Sequence, residues 1–149
     1  MRIIKIQDIK DDSILLSKTV IDGVTFLIYQ ECLEVVQAAN FELCTVEKWF
    51  KIIGIKYDSI SINGNAILYK VGDKELGLSD LSSGERLILY LLACKVSDKP
   101  IVVQSLFERL GNRLEQVVYD NLLDYKSLTV ILYNAYIQKA FDPYFVKEI

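Results

Sequence analysis

The sequence has 149 residues and a net charge of −3, with 52% of its residues hydrophobic and 25% charged. This balance excludes a disordered chain, and the lack of a basic block gives no support to nucleic-acid binding. No apolar run approaches the roughly 20 residues of a membrane-spanning helix. The first residues, 1–5, do not resemble a signal peptide. We therefore expect a single domain over residues 1–149 that does not bind a membrane.

The sequence contains no histidine, the commonest general base and the commonest ligand of transition metals. The lack of histidine argues against a triad hydrolase, a zinc hydrolase and a histidine-based pH sensor, and we expect no metal site. Its three cysteines, Cys32, Cys44 and Cys94, lack metal or redox spacing. They are typical of small buried side chains in a reducing compartment, which predicts a cytoplasmic protein.

The first third of the chain predicts strands followed by helices. The turn signal Asp22-Gly23 predicts a hairpin, and Gly54 is expected to end a helix. The predicted strands span residues 2–7, 14–20 and 24–29, and the predicted helices span 31–40 and 45–53.

The rest of the chain alternates strands and helices. Strands are predicted at 59–62, 66–71, 101–103 and 128–132, helices at 83–96 and 113–124, and a partly helical tail at 135–149. Such alternation favours parallel strands covered by helices. The expected fold class is α/β, with an antiparallel β portion at the N-terminus.

One stretch combines several signals: Leu81-Ser82-Ser83-Gly84-Glu85-Arg86, followed by an apolar run. Ser82 and Glu85 have the spacing of a capping box, which predicts a helix start. Gly84 allows other groups to approach the backbone, and the free N–H groups of a first helical turn attract anions. An ordinary capped helix accounts for the same residues.

In this order of elements, residues 81–86 resemble the signature motif of ABC-type ATPase heads. The likeness is strongest to the branch that contains SMC, RecF-like and overcoming-lysogenization-defect proteins. Residues 99–103 resemble the lead-in to a Walker B strand, and residues 113–124 and 128–132 resemble the elements that precede the switch histidine. The first three strands resemble those that lead to the Walker A loop. The resemblance implies a mixed sheet related to that of P-loop NTPases.

The residues that would perform the family's chemistry are missing. No glycine lies between Gly23 and Gly54, so a phosphate-binding loop cannot form after the third strand. Gln104 and Ser105 stand at the Walker B positions, where carboxylates would order Mg²⁺ and water. Asn134 stands near the position of the switch histidine.

The resemblance therefore implies a chain that holds no nucleotide or other cofactor itself. Ser82, Ser83, Gly84 and Glu85 are the residues expected to contact ATP in trans, held by a protein partner. That partner is an intact ABC-type ATPase or a second copy of this chain, and no direct nucleic-acid binding is expected.

Three other interpretations stay open. In the first, the motif is a relic that is kept only as a helix cap. In the second, the chain is a divergent nucleotide-binding or ATP-hydrolysing domain. Carboxylates for such a domain would be Asp80, Glu85 or Glu108. The third interpretation is a structural adaptor in a DNA-repair, phage or mobile-element complex.

Overall fold

The computed structural model describes residues 1–5, 20–21, 24–27, 41–64, 66–104, 106–107, 110–132 and 145–148. Its helices are α1 (Leu43–Ile53), α2 (Ser83–Val96) and α3 (Asn112–Asn121). Its strands are β1 (Arg2–Lys5), β2 (Val20–Ile21), β3 (Val24–Leu27), β4 (Ser59–Asn63), β5 (Ala66–Val71), β6 (Lys74–Gly77), β7 (Ile101–Gln104), β8 (Leu128–Leu132) and β9 (Phe145–Glu148). The fold is mixed α/β, with one mainly parallel sheet and one antiparallel sheet.

The larger sheet comprises, within the described ranges, six strands in the order β2-β3-β7-β8-β1-β9. Strand β7 lies parallel to both β3 and β8, as the alternation of strands and helices predicts. The strands contribute Ile3, Ile101, Val103, Leu128 and Val130 to the hydrophobic core. These apolar runs are typical of strands that are covered on their faces by other elements.

The expected antiparallel N-terminal portion is confirmed only for β2 and β3, which pair across the Asp22-Gly23 turn signal. Strand β1 instead lies between β8 and β9 and is parallel to both. Local turn signals predict hairpins, but the partner of β1 is more than 120 residues away in the sequence. Such long-range pairing leaves no local signal.

The smaller sheet is antiparallel, with the order β4-β5-β6. Its two turns place Gly64 and Gly72 at φ +62° and +60°, a conformation that glycine adopts without steric cost. The sequence predicts β4 and β5 but not β6, which pairs with β5 from Val71↔Lys74 to Leu68↔Gly77. The sheet leads directly into the stretch at residues 81–86.

Helix α2 contacts both α1 and α3 and lies at the centre of the helical layer. Every residue from Leu87 to Cys94 is buried, so the helix is covered on all sides rather than on one apolar face. A helix that is apolar around its circumference is expected to be buried in this way.

The other predicted elements agree with the structure to varying extents. Gly54 ends α1 in the left-handed conformation, at φ +82°. Residues 145–148 form a strand and not part of a helical tail, because Phe145 and its neighbours pair with β1. The predicted helix at 31–40, most of the strand at 14–20 and residues 135–144 lie outside the described residues. In the described part of the chain, no helix has the length and apolar character that a membrane crossing requires.

Candidate functional site

The approach to α2 is shaped by a single 3₁₀ turn at Leu78–Asp80. The Asp80 carboxylate accepts a hydrogen bond from the Gly77 N–H at 2.8 Å, and the Leu81 N–H donates to the Leu78 carbonyl at 3.2 Å. The Leu81 side chain is buried and anchors the turn in the core. The chain therefore enters α2 from a fixed direction.

Ser82 and Glu85 form the capping box that their spacing predicts. The Ser82 Oγ accepts a hydrogen bond from the Glu85 N–H at 3.2 Å, and the Ser82 N–H donates to Glu85 Oε1 at 3.0 Å. Each residue thus satisfies a backbone group of the first helical turn that has no partner within the helix.

The four predicted contact residues lie together in this turn but differ in exposure. Ser82 and Ser83 are exposed, the Glu85 side chain is 17% exposed, and Gly84 is buried. The backbone at Gly84 is therefore covered, in contrast to the expectation that other groups approach it there. The surface that this turn offers to a ligand consists of Ser82 and Ser83.

The negative charge at the turn is paired with an arginine from another helix. Arg113, in the first turn of α3, places Nη2 at 3.2 Å from Glu85 Oε2. Its Nη1 donates to the Ile53 carbonyl, the last residue of α1. Arg113 itself is 56% exposed, so its side chain also faces solvent. The guanidinium joins the ends of three helices at this point.

A second arginine ties the turn to the preceding loop. Arg86 Nη1 donates to the Ser79 carbonyl at 3.0 Å. Its Nε is buried and has no hydrogen-bond partner among the described residues. Arg86 and Arg113 thus each hold a backbone carbonyl near this end of α2, and Arg113 also pairs with Glu85.

The carboxylates also affect a buried tyrosine of β5. Burial raises the pKa of the Tyr69 hydroxyl above its ordinary value, and the charges of Asp80 and Glu85 raise that pKa further. The Tyr69 ring packs edge-on against Phe50, with centroids 5.4 Å apart. Tyr69 therefore stays neutral and serves as an apolar support beneath the turn.

The arrangement is suited to binding rather than to bond cleavage. A helix N-terminus with exposed hydroxyl groups can accept an anion. The Glu85 carboxylate is directed at the Ser82 N–H and at Arg113, so it is not placed as a base for either serine hydroxyl. In the part of the chain that the structure covers, no group of three or more His, Cys, Asp or Glu side chains could hold a metal ion.

The other predicted site residues lie elsewhere or outside the description. Gln104 is the last residue of β7 and pairs with Ile131 of β8, at the carboxyl edge of the parallel strands. Ser105 and Asn134 fall outside the described residues, as do Glu108 and the segment where a Walker A loop would lie. Among the predicted site residues that the structure describes, it brings residues 82–85 together, with Asp80 in the turn just before them.

A cleft of about 380 Å³ between α1 and the ends of α2 and α3 is a weaker candidate. Its lining residues are Thr45, Lys48, Trp49, Ile52, Leu92, Lys95, Val96 and Asn121. Lys95 Nζ already lies 2.7 Å from both the Asn121 carbonyl and Asp124 Oδ1. Lys95 is thus already paired, whereas Lys48, which also lines the cleft, is exposed.

Sequence reasoning missed Arg113 as a residue of the site. A cation in the first turn of a helix opposes the helix dipole, which favours anions at that end. The position of Arg113 in the predicted helix is thus a signal that the guanidinium has partners outside α3.

No protein-family model matches the chain, and no curated protein matches it either.

Proposed function

We propose that the chain is an ABC-ATPase-head-like protein that has lost its own nucleotide machinery and acts by binding another protein. In this proposal the first turn of α2 completes the ATP site of a partner. The observation that carries the proposal is the exposure of Ser82 and Ser83 at the start of a helix whose residues from Leu87 to Cys94 are all buried. An anion held by a partner could reach these two residues.

The order of elements supports the proposed head-like fold. The signature-like turn begins α2, which leads to β7, then α3 and β8. In the resembled family, the signature helix, the Walker B strand and the strand before the switch follow in that order. Strands β7 and β8 are parallel neighbours in the larger sheet.

The sequence departures support the inactive part of the proposal. Gln104 and Ser105 replace the carboxylates of Walker B, and a Gln carbonyl is a weak substitute for a carboxylate on Mg²⁺. The chain needs no cofactor of its own in this role. An intact ABC-type ATPase could hold ATP with its own residues. A homodimer of this chain could not, because this sequence lacks the residues that would bind the nucleotide. We therefore favour an intact ATPase as the partner.

The central experiment separates helix capping from contact with phosphate. Asp is as good an N-cap as Ser, so Ser82→Asp keeps the cap but puts a carboxylate where the phosphate would lie. Ser82→Ala removes the cap without adding charge. We expect Ser82→Asp to retain the wild-type stability and to lose all effect on the partner's ATPase activity.

The assay begins with affinity capture from the native host, identification of a captured ATPase with Walker motifs, and reconstitution of both purified proteins. We expect the wild-type chain to raise the partner's ATPase rate at least about tenfold. If the Ser82→Asp variant raises the partner's ATPase rate as much as the wild-type chain does, the turn does not contact phosphate. An unchanged rate with a stable complex would favour the structural adaptor.

The enzyme alternative has its own measurement. The isolated chain is heated with and without millimolar Mg-ATP, and we expect no change in Tm. A ligand at 100 times its Kd would stabilise the folded state by about 2.7 kcal/mol, a shift that is easily measured. Such a shift, or ATP hydrolysis that Ser82→Ala abolishes, would favour a divergent nucleotide-binding domain.

A further inference from the structure

We propose that Arg113 is the positioning residue of the signature-like turn. It holds the Glu85 carboxylate in place and cancels its charge, so that an anion can approach Ser82 and Ser83. The part of this inference that concerns the anion rests on the proposed function, whereas the part that concerns the geometry does not.

The contacts of Arg113 connect three elements. Nη2 lies 3.2 Å from Glu85 Oε2 in the first turn of α2, and Nη1 donates to the Ile53 carbonyl at the end of α1. The planar guanidinium carries its donors in a rigid fork, so one side chain can hold two acceptors at once. A lysine at this position could carry the charge but could not span both acceptors in the same geometry.

The electrostatics explain why an arginine occupies an unfavourable position in its own helix. A cation in the first turn of α3 is disfavoured by the dipole of that helix. The carboxylate of Glu85 and the carbonyl at the C-terminal end of α1 are both favourable partners for it. The Arg113 side chain is therefore stabilised by its contacts with α1 and α2 and not by its position in α3.

The same contacts decide whether the turn can receive an anion. Glu85 Oε1 accepts the Ser82 N–H, so the carboxylate lies directly beside the exposed serines. Without Arg113 its charge is uncompensated and repels phosphate, since the interaction between like charges is strong at short range. With Arg113 in place the pair is close to neutral, and the helix N-terminus is free to attract the anion.

The variants are Arg113→Ala, Arg113→Lys and the double variant Arg113→Ala with Glu85→Gln. Gln at the third helical position keeps the capping box but carries no charge. The matched control is Lys126→Ala, which removes an exposed cation elsewhere on the chain. If Arg113→Ala fails to fold, Arg113→Lys replaces it in the exchange measurement: a lysine keeps the charge but cannot hold both acceptors, so faster exchange is expected there too.

The first readout uses the isolated chain and needs no partner. Hydrogen exchange of the Ser82 and Glu85 amides is measured by NMR, and we expect exchange at least about fivefold faster in Arg113→Ala, with no change in Lys126→Ala. Unchanged exchange in Arg113→Ala would overturn the positioning role, whatever the function of the chain.

The second readout uses the reconstituted partner ATPase. We expect Arg113→Ala to raise the KM for ATP about tenfold with a smaller change in kcat, and the added Glu85→Gln to restore the KM. A purely structural role would leave the double variant as impaired as the single one, which would overturn the electrostatic part.

If Arg113→Ala leaves the KM unchanged while Ser82→Asp abolishes stimulation, the inference fails and the proposed function stands. If the wild type itself does not stimulate, the proposed function fails and hydrogen exchange alone decides the role of Arg113.

Discussion

Gly54 and Arg113 fit together because Gly54 has no side chain. A Cβ atom at Gly54 would lie 2.9 Å from Arg113 Nη1, and the backbone of Gly54 is in the left-handed region at φ +82°. The residue therefore meets two requirements at once: it ends α1, and it leaves room for the guanidinium that reaches the Ile53 carbonyl.

The variant Gly54→Ala tests this contact. A left-handed alanine costs roughly 1–2 kcal/mol, and the crowding of Arg113 adds to that cost. The controls Gly64→Ala and Gly72→Ala carry only the backbone cost, since nothing lies within 4 Å of a Cβ at either position. In urea denaturation we expect Gly54→Ala to be the least stable of the three. An equal loss in all three variants would show that Arg113 moves aside freely.

The capping box makes a contribution to stability that is independent of any function. We expect Ser82→Ala to lower the free energy of unfolding by about 1 kcal/mol, because the Glu85 N–H loses its acceptor. Ser82→Asp is the control, since an aspartate at the N-cap can accept the same Glu85 N–H. Equilibrium denaturation of both variants measures the difference, and equal stability of the two would argue against the cap.

The burial of α2 predicts a sharp contrast along one helix. Leu89 is fully buried, whereas Val96 at the end of the same helix is 66% exposed. We expect Leu89→Ala to cost about 2–5 kcal/mol and Val96→Ala to change stability by less than about 0.5 kcal/mol. Thermal or chemical denaturation decides this, and a small effect of Leu89→Ala would mean that the core around α2 is loosely packed.

Tyr125 predicts a loss of stability at high pH. Its hydroxyl donates to the Lys99 carbonyl, and its side chain is 1% exposed. Burial, together with the charges of Cys94 and Asp98, raises the pKa of Tyr125 above its ordinary value of 10.0. The folded state thus holds this proton more tightly than the unfolded state. The resulting stabilisation is complete below pH 10 and is lost as the pH rises above that value.

The matching variant is Tyr125→Phe. At neutral pH we expect it to lose about 1 kcal/mol through the missing hydrogen bond. Above pH 10 its stability should fall less steeply than that of the wild type, because it has no phenol to ionise. Denaturation midpoints measured from pH 7 to 11 compare the two slopes, and parallel curves would contradict the raised pKa.

The elements that the sequence predicts well are those with local causes. The capping box at Ser82 and the helix end at Gly54 both depend on residues close in the chain. The pairing of β1 with β8 and β9 depends on contacts between distant segments, so no local pattern indicates it. Strand β6 was missed because Lys74 and Glu75 are polar and exposed, with little of the alternation that marks a strand.

The candidate site shows the same division. The positions of Ser82 and Glu85 follow from their spacing, whereas the burial of Gly84 depends on how the finished fold covers the turn. The contact between Glu85 and Arg113 joins residues 28 positions apart on different helices. Only the unfavourable place of a cation in the first turn of α3 gives a local indication of it.

The burial of α2 on all sides also has a consequence for the rate of association. The helix cannot rotate or slide without repacking the core, so the turn at its start is already held in one conformation before a partner arrives. A partner that docks there has no loop to order, and the entropic cost of complex formation is correspondingly low. Association should therefore proceed in a single step, at about 10⁵–10⁷ M⁻¹s⁻¹, without a slow conformational phase.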